Sequence, residues 1–374
     1  MTKIAFIGAG SWGTATAALV ARKNEYETVL WARRSELAET INLYHENPQY
    51  LPDLELPDSL LATSELDEAL TGAEVVVLGV PSHGFRSVLR DVAAIVGNGP
   101  RYVSLTKGLE VDTRKRMSEV IKEEVDGITD AQVAILTGPN LAKEIVRGFP
   151  AATTVACKDT ETAEFLQDVF HAPTFRCYTN NDVVGCEIGG AFKNIIAIAA
   201  GMADGLGYGD NTKATVMTRG LAEMARFSVL FGAQPLTFLG LAGVGDLIAT
   251  CASPQSRNHH VGIELGKGRK IDEIIGTMNM VAEGVKTCKP ILELGREKDC
   301  YMPITENVVK ICHEGASVED VVMDLLGREI RSEFEGVEEF LKIVPDIEVR
   351  HPRPDITPPA RGSDASATDA RPGR

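Results

Sequence analysis

An open α/β sheet, doubly wound and mostly parallel, followed by an all-helical part, is what three features of the sequence predict. Short β-rich apolar runs alternate with helical patterns in the first half. A glycine-rich turn joins the first run to the first helix. From Gly185 onward the apolar residues recur at spacings of three and four, with no convincing strand. The runs KIAFIGAG, TVLWARR, AEVVVLGVP, RYVSLTKG, QVAILTGP and AATTVAC predict strands near residues 4 to 7, 28 to 31, 75 to 80, 102 to 105, 132 to 136 and 153 to 156. Helices between them suit parallel pairing, and continuous apolar runs suit strands covered on both faces. A further run, TFRCYTN, precedes the change of composition after Asp182.

The first turn, GAGSWG, carries Gly8, Gly10 and Gly13 as GxGxxG, between an apolar strand and an Ala-rich helix. In that setting the first glycine permits a tight turn, the second lets a pyrophosphate approach the backbone, and the third lets helix and strand pack closely. A dinucleotide-binding (Rossmann-type) part is therefore expected over residues 1–184. The acidic residue expected about 20 residues further on, which would accept a ribose 2′-hydroxyl, is replaced by Arg33 and Arg34. Two guanidinium groups suit a 2′-phosphate, so NADP is favoured with NAD possible; either Arg could instead simply cover the surface.

The helical part, expected over residues 185–344, begins with GCEIGGAFKNIIAIAAG, where Lys193 stands among small and aliphatic residues. Side chains on a helix lean toward its N-terminus, so Lys193 should lie over Gly189 and Gly190, and the glycines should leave clearance for a ligand. A snorkelling or ion-paired lysine, with another helix filling the glycine space, is the competing reading. Lys107 in SLTKG and the segment GPNLAKE both follow strands, at the sheet edge where open α/β folds bind ligands. Asp246 supplies a carboxylate, and Ser256, Arg257 and Asn258 form a cluster that suits a phosphate or a polyol, or equally a capped surface loop.

The bulk properties narrow the partners. A formal charge of -15 and a pI near 5.0 make nucleic acid and anionic membrane surfaces poor partners, yet a small phosphorylated ligand needs only a local cluster of cations. Seven cysteines without a CxxC pair fit reduced thiols, no metal site is expected, and the chain enters its first strand after Met-Thr-Lys without a signal-peptide pattern. No apolar run reaches about 18 residues. A soluble cytoplasmic protein is expected. Residues 345–374 carry six prolines, no aromatic residue and balanced charge, the composition of a disordered tail.

Taken together, GAGSWGTA, Trp31 with Arg33, NPQYLPDLELP, VPSH, SLTKGLE, GPNLAKE, GCEIGGAFKNIIAIAAG, GVGDLIATCASPQSRN and VAEGV resemble, in order from about residue 3 to 340, the soluble bacterial NAD(P)-dependent glycerol-3-phosphate dehydrogenases. The resemblance implies reversible reduction of dihydroxyacetone phosphate to sn-glycerol 3-phosphate, the backbone of phospholipid synthesis, and it suggests a homodimer. It makes Lys193 the catalytic acid/base and puts Lys107 near both substrate and cofactor. Gly138, Asn140, Asp246, Ser256, Arg257 and Asn258 would surround the substrate. Ser11, Trp12, Arg33, Ala142, Arg257, Val281 and Glu283 would line the dinucleotide. Asn140 stands where the family commonly has a small hydroxyl residue, and nothing after Leu341 has a counterpart. The apolar helix and the charge of Lys107 are expected to lower the Lys193 pKa, with Asp246 orienting the amine and opposing that shift. The β-hydroxyacid dehydrogenases also join a Rossmann part to a helical part with a catalytic Lys, but their GxxxKxxxN pattern fails here, with Ala at 197 and Asn at 194. A non-catalytic NADP(H) sensor would have no need of Lys193, Lys107 and Asp246 together.

Overall fold

The computed structural model describes residues 1–278 and 282–326, so Val281 and the tail at 345–374 lie outside the described residues. An eight-stranded sheet organises the first half, built from β1 (Lys3–Ile7), β2 (Glu27–Trp31), β5 (Leu60–Thr63), β6 (Ala73–Leu78), β7 (Arg101–Ser104), β8 (Val133–Thr137), β9 (Ala151–Cys157) and β10 (Phe175–Asn180). A small hairpin of β3 (Glu46–Asn47) and β4 (Leu51–Glu55) stands apart from it. The order across the large sheet is β10-β9-β8-β7-β6-β1-β2-β5. Every pairing in it is parallel except β8 with β9, which is antiparallel, so the expected mostly parallel sheet has one reversal. β5 and β10 extend the sheet beyond the six strands expected.

Both faces are covered. On one, α1 (Ser11–Ala21), α2 (Ser35–Tyr44) and α7 (Thr160–Phe170) pack their apolar residues on Phe6, Val75 and Val103, with α6 (Ala142–Val146) beside α1. On the other, α3 (Leu66–Leu70), α4 (Ser82–Val96) and α5 (Met117–Glu124) cover Ala5, Ile7, Val76 and Tyr102. The chain order reverses at β1, between β2 and β6, and the loops leaving β1, β6 and β7 therefore meet at the carboxyl edge of the sheet.

The helical part contains α8 (Val183–Gly205), α9 (Asp210–Val229), α10 (Asp246–Ala252), α11 (Arg257–Gly266), α12 (Ile271–Gly276), α13 (Glu283–Glu297), α14 (Pro303–His313) and α15 (Val318–Leu326), and no strand among the described residues. Asp182 caps α8, its carboxylate accepting from the Gly185 amide at 2.8 Å. Among the described residues α8 alone has the length and apolar composition to cross a membrane, and most of it is buried in the protein core. Gly201 and Gly205 on α8 face Gly262 and Gly266 on α11, so closely that a methyl on any of them would strike the other helix's backbone. This approach fixes the start of α11 beside the middle of α8. The described residues of the two halves pack as one compact unit.

Candidate active site

The glycine turn has the geometry its sequence predicts. Gly8 has a φ of +115°, in the region that favours glycine, and a methyl there would meet the Gly79 carbonyl oxygen at 2.9 Å. A methyl on Gly13 would collide with the carbonyl oxygen of Gly8, which ties the start of α1 to the end of β1. Nothing lies within 4 Å of the equivalent point on Gly10. That open space, at a helix N-terminus, fits a pyrophosphate. Ser11 donates to the Tyr50 carbonyl at 2.9 Å, and Trp12 packs edge-on against Phe175, its buried Nε1 without a partner among the described residues. Arg33 and Arg34 follow β2 and are exposed. Ala142 opens α6.

Gly79, packed against Gly8, opens the loop that leads toward the lysines. The loop after β6 supplies the Val80 carbonyl, which accepts from Thr106 at 2.6 Å, and Lys107 is the next residue. The Lys107 ammonium donates to the Gly138 carbonyl at 2.9 Å and to Asp246 Oδ2 at 2.7 Å. Lys193, from the interior of α8, donates to the other carboxylate oxygen, Oδ1, at 2.6 Å and to Thr250 Oγ1 at 2.5 Å. One carboxylate, 2% exposed, thus bridges two ammonium groups. The group carries a net positive charge in a largely dry setting, where an anion or an oxygen gaining negative charge is strongly favoured. Burial pushes the Lys107 pKa down to about 8, Asp246 opposes that, and Lys193 adds to it.

A single turn of π-helix at Leu241–Gly245 delivers Asp246 to the first position of α10. Such turns recur at functional sites because they re-aim the residues that follow. Against the same turn lies Gly189, and here the expectation of clearance for a ligand is corrected: a methyl on Gly189 would meet the Ala242 carbonyl oxygen at 2.7 Å. The space over Gly190 is likewise occupied, by Thr137 Oγ1 at 3.2 Å and the Lys107 stem at 3.5 Å. The two glycines bring α8 against the sheet edge and the π turn, and so bring the two lysines to one carboxylate.

Beside Lys193, Asn194 accepts from Asn258 Nδ2 at 2.9 Å, and Asn258 Oδ1 accepts from the Gly284 amide at 2.9 Å, which joins α8, α11 and the start of α13. Ser256 caps α11 through the His259 amide, with Arg257 exposed at its first turn. Glu283, the first residue of α13, accepts from the Ser82 hydroxyl at 2.8 Å, reaching back to α4. Asn140 donates to Thr153 at 3.0 Å, and its buried Oδ1 has no partner among the described residues, nor has the buried Thr137 hydroxyl.

Two family models match in sequence order: the NAD-dependent glycerol-3-phosphate dehydrogenase N-terminus over residues 3–163 and its C-terminus over residues 182–323. The chain belongs to the NAD-dependent glycerol-3-phosphate dehydrogenase family. It is 50% identical over 331 residues to a glycerol-3-phosphate dehydrogenase [NAD(P)+] of Streptomyces griseus, spanning 88% of this chain and 98% of the relative. To one from Corynebacterium jeikeium it is 49% identical over 334 residues, spanning 89% and 100%. The crystal structure of glycerol-3-phosphate dehydrogenase from Coxiella burnetii superposes with a TM-score of 0.83 at 35% identity, over 87% of this chain and 99% of that one.

Several residues around the family motifs were not singled out by the sequence. Thr250 was legible in principle, since it lies four residues after Asp246 on the same helix, and residues at that spacing face the same way. Ser82 and Asn194 give no such signal, because their partners Glu283 and Asn258 lie far away in the sequence.

Proposed function

We propose that this protein catalyses the NAD(P)H-dependent, reversible reduction of dihydroxyacetone phosphate to sn-glycerol 3-phosphate. The observation that carries this reading is the Asp246 carboxylate shared by Lys193 and Lys107 beside a glycine turn with room for a pyrophosphate. When bound, the nicotinamide supplies the hydride. Lys193 holds a proton on Nζ for the ketone oxygen, and Asp246 and Thr250 fix the direction in which that Nζ points. In oxidation the neutral Lys193 amine takes the proton. Ser256, Arg257 and Asn258 receive the phosphate at the N-terminus of α11, with Gly138 and Asn140 on the other side of the substrate. Ser11, Trp12, Arg33, Arg34, Ala142, Arg257, Val281 and Glu283 belong to the dinucleotide side, together with Gly8, Gly10 and Gly13. We read residues 1–184 as the dinucleotide-binding domain, 185–344 as the substrate domain, and the protein as a cytoplasmic homodimer.

Oxidation of NADPH and NADH followed at 340 nm, with dihydroxyacetone phosphate against dihydroxyacetone, tests the reading. No oxidation by the phosphorylated ketone would overturn it, and equal rates without phosphate would remove the role of Arg257. Arg33→Ala should raise KM for NADPH about tenfold and leave KM for NADH nearly unchanged, because the lost charge pairs only with a 2′-phosphate.

With its pKa pushed down to about 8, Lys107 should give the reaction an alkaline pH dependence. Above that value Lys107 loses its proton, the cluster loses its net positive charge, and kcat/KM for the anionic ketone should fall. Lys107→Met should remove this limb from the profile. Titration of Lys107 does not itself loosen the fold across this limb: in the folded state Lys107 binds its proton less tightly than in the unfolded chain, so its contribution to stability rises with pH from about 8 to 10.5.

A further inference from the structure

Glu187 is among the buried carboxylates that the catalytic reading does not use. Glu187, on α8 six residues before Lys193, is 7% exposed and accepts from the Ser118 amide at 2.8 Å, from Arg116 Nη1 at 2.8 Å and from the Ser118 hydroxyl. Burial pushes its carboxyl up, opposed by Arg116. A carboxylate in such a setting is costly unless its bonds are all made, so what it holds together needs an account. Arg116 is the N-cap of α5 and Ser118 lies in its first turn, so a side chain from the lysine-bearing helix caps a helix of the sheet part.

Arg116 is also rigidly coupled to Lys107. An antiparallel bridge pairs Leu109 with Arg116, and the Glu110 amide donates to the Lys115 carbonyl at 2.9 Å, closing the loop that carries Lys107. Leu109 is buried in the helical core with Ile188 and Ala191, on the turns of α8 that follow Glu187. The Lys107 stem lies over Gly190. Glu187, Ile188, Gly190 and Ala191 therefore dock one closed loop along α8 up to Lys193.

We propose that Glu187 is a positioning residue, clamping the loop of Lys107 to the helix of Lys193 so that both ammonium groups reach the one carboxylate of Asp246. The proposal rests on the catalytic reading above. Glu187 bonds to Arg116 and Ser118 and not to the two lysines or Asp246, so it acts on the distance between those groups. A misplacement of about 1 Å can cost about two orders of magnitude in rate, so a variant that loosens the clamp acts on kcat.

Glu187→Ala should lower kcat about 10- to 100-fold with KM for the ketone and the NADPH dissociation constant within about twofold of wild type. Glu187→Gln keeps the shape and an oxygen for the Ser118 amide but loses the charge facing Arg116; it should lower kcat about fivefold and serves if the alanine variant does not fold. A folded variant within about twofold of wild-type kcat overturns the proposal, since a part in stability alone moves the melting temperature and leaves turnover at low temperature intact. A second arm is independent of turnover. The titration midpoint of Lys107, read by nitrogen NMR of labelled lysine, depends on Asp246 and Lys193, which face it, and on exclusion of water. In Glu187→Ala it should move at least about half a unit toward the ordinary lysine value, and an unmoved midpoint overturns the clamp. A wild-type protein that cannot oxidise NADPH with dihydroxyacetone phosphate would sink the catalytic reading, and the Lys107 midpoint would then decide the clamp by itself.

Discussion

Lys193→Ala should reduce kcat for dihydroxyacetone phosphate about 100- to 10,000-fold, the range for removal of a positioned general acid. The fold should survive, because Asp246 keeps its bonds to Lys107 at 2.7 Å and to Thr250 at 3.3 Å. NADPH affinity should stay within about twofold, since Lys193 makes no bond to the glycine turn. Lys193→Arg separates the two tasks an ammonium could perform there. A guanidinium keeps the positive charge, but its pKa, far above that of an ordinary lysine, makes it a poor proton donor and no base near neutrality. If proton transfer is what Lys193 contributes, Arg should be nearly as slow as Ala in both directions. Recovery of most of the reduction rate by Arg would reassign Lys193 to charge stabilisation alone, and an alanine variant within tenfold of wild type would remove it from the chemistry.

The parts of this site that were legible in the sequence are those whose physics is local. GAGSWG announced itself because turn, strand and helix adjoin in the chain, and the space at Gly8, Gly10 and Gly13 matches the three tasks expected of them. Lys193 stood out for a similar reason: a charge within an apolar helix conflicts with its neighbours. The glycines before it were misjudged because the atoms that fill their space come from Ala242, Thr137 and Lys107. Sequence distance hid them. Among the strands, LPDLE and LLAT are short and polar or flanked by proline, so β4 and β5 lacked the apolar length that marked β6 or β8. The reversal of β9 was illegible for another reason, since an apolar run carries no sign of its direction. Glu187 sat in plain view inside the same motif as Lys193, but its meaning depends on Arg116 and Ser118, which only the folded chain brings to it.

Asp246→Asn should have the other large effect, on stability and rate together. The carboxylate is 2% exposed and stands between two ammonium groups; neutralising it leaves two like charges facing each other with little water. Breaking a buried pair of this kind typically costs about 3–5 kcal/mol. The pH dependence identifies the cause. Without the carboxylate that opposes it, burial holds Lys107 further below its unfolded pKa of about 10.4, so the unfolded state binds more protons and stability rises with pH up to that value. Urea unfolding at about pH 7 and about pH 9.5 should therefore show a deficit relative to wild type that shrinks at the higher pH. A deficit of the same size at both would mean that Asp246 acts through the shape of the π turn and the start of α10 rather than through charge. Turnover should fall at least about a hundredfold at either pH, because the amine of Lys193 loses the group that aims it. At higher pH the variant should become steadier yet no faster, since deprotonation relieves the repulsion and at the same time removes the proton that reduction needs.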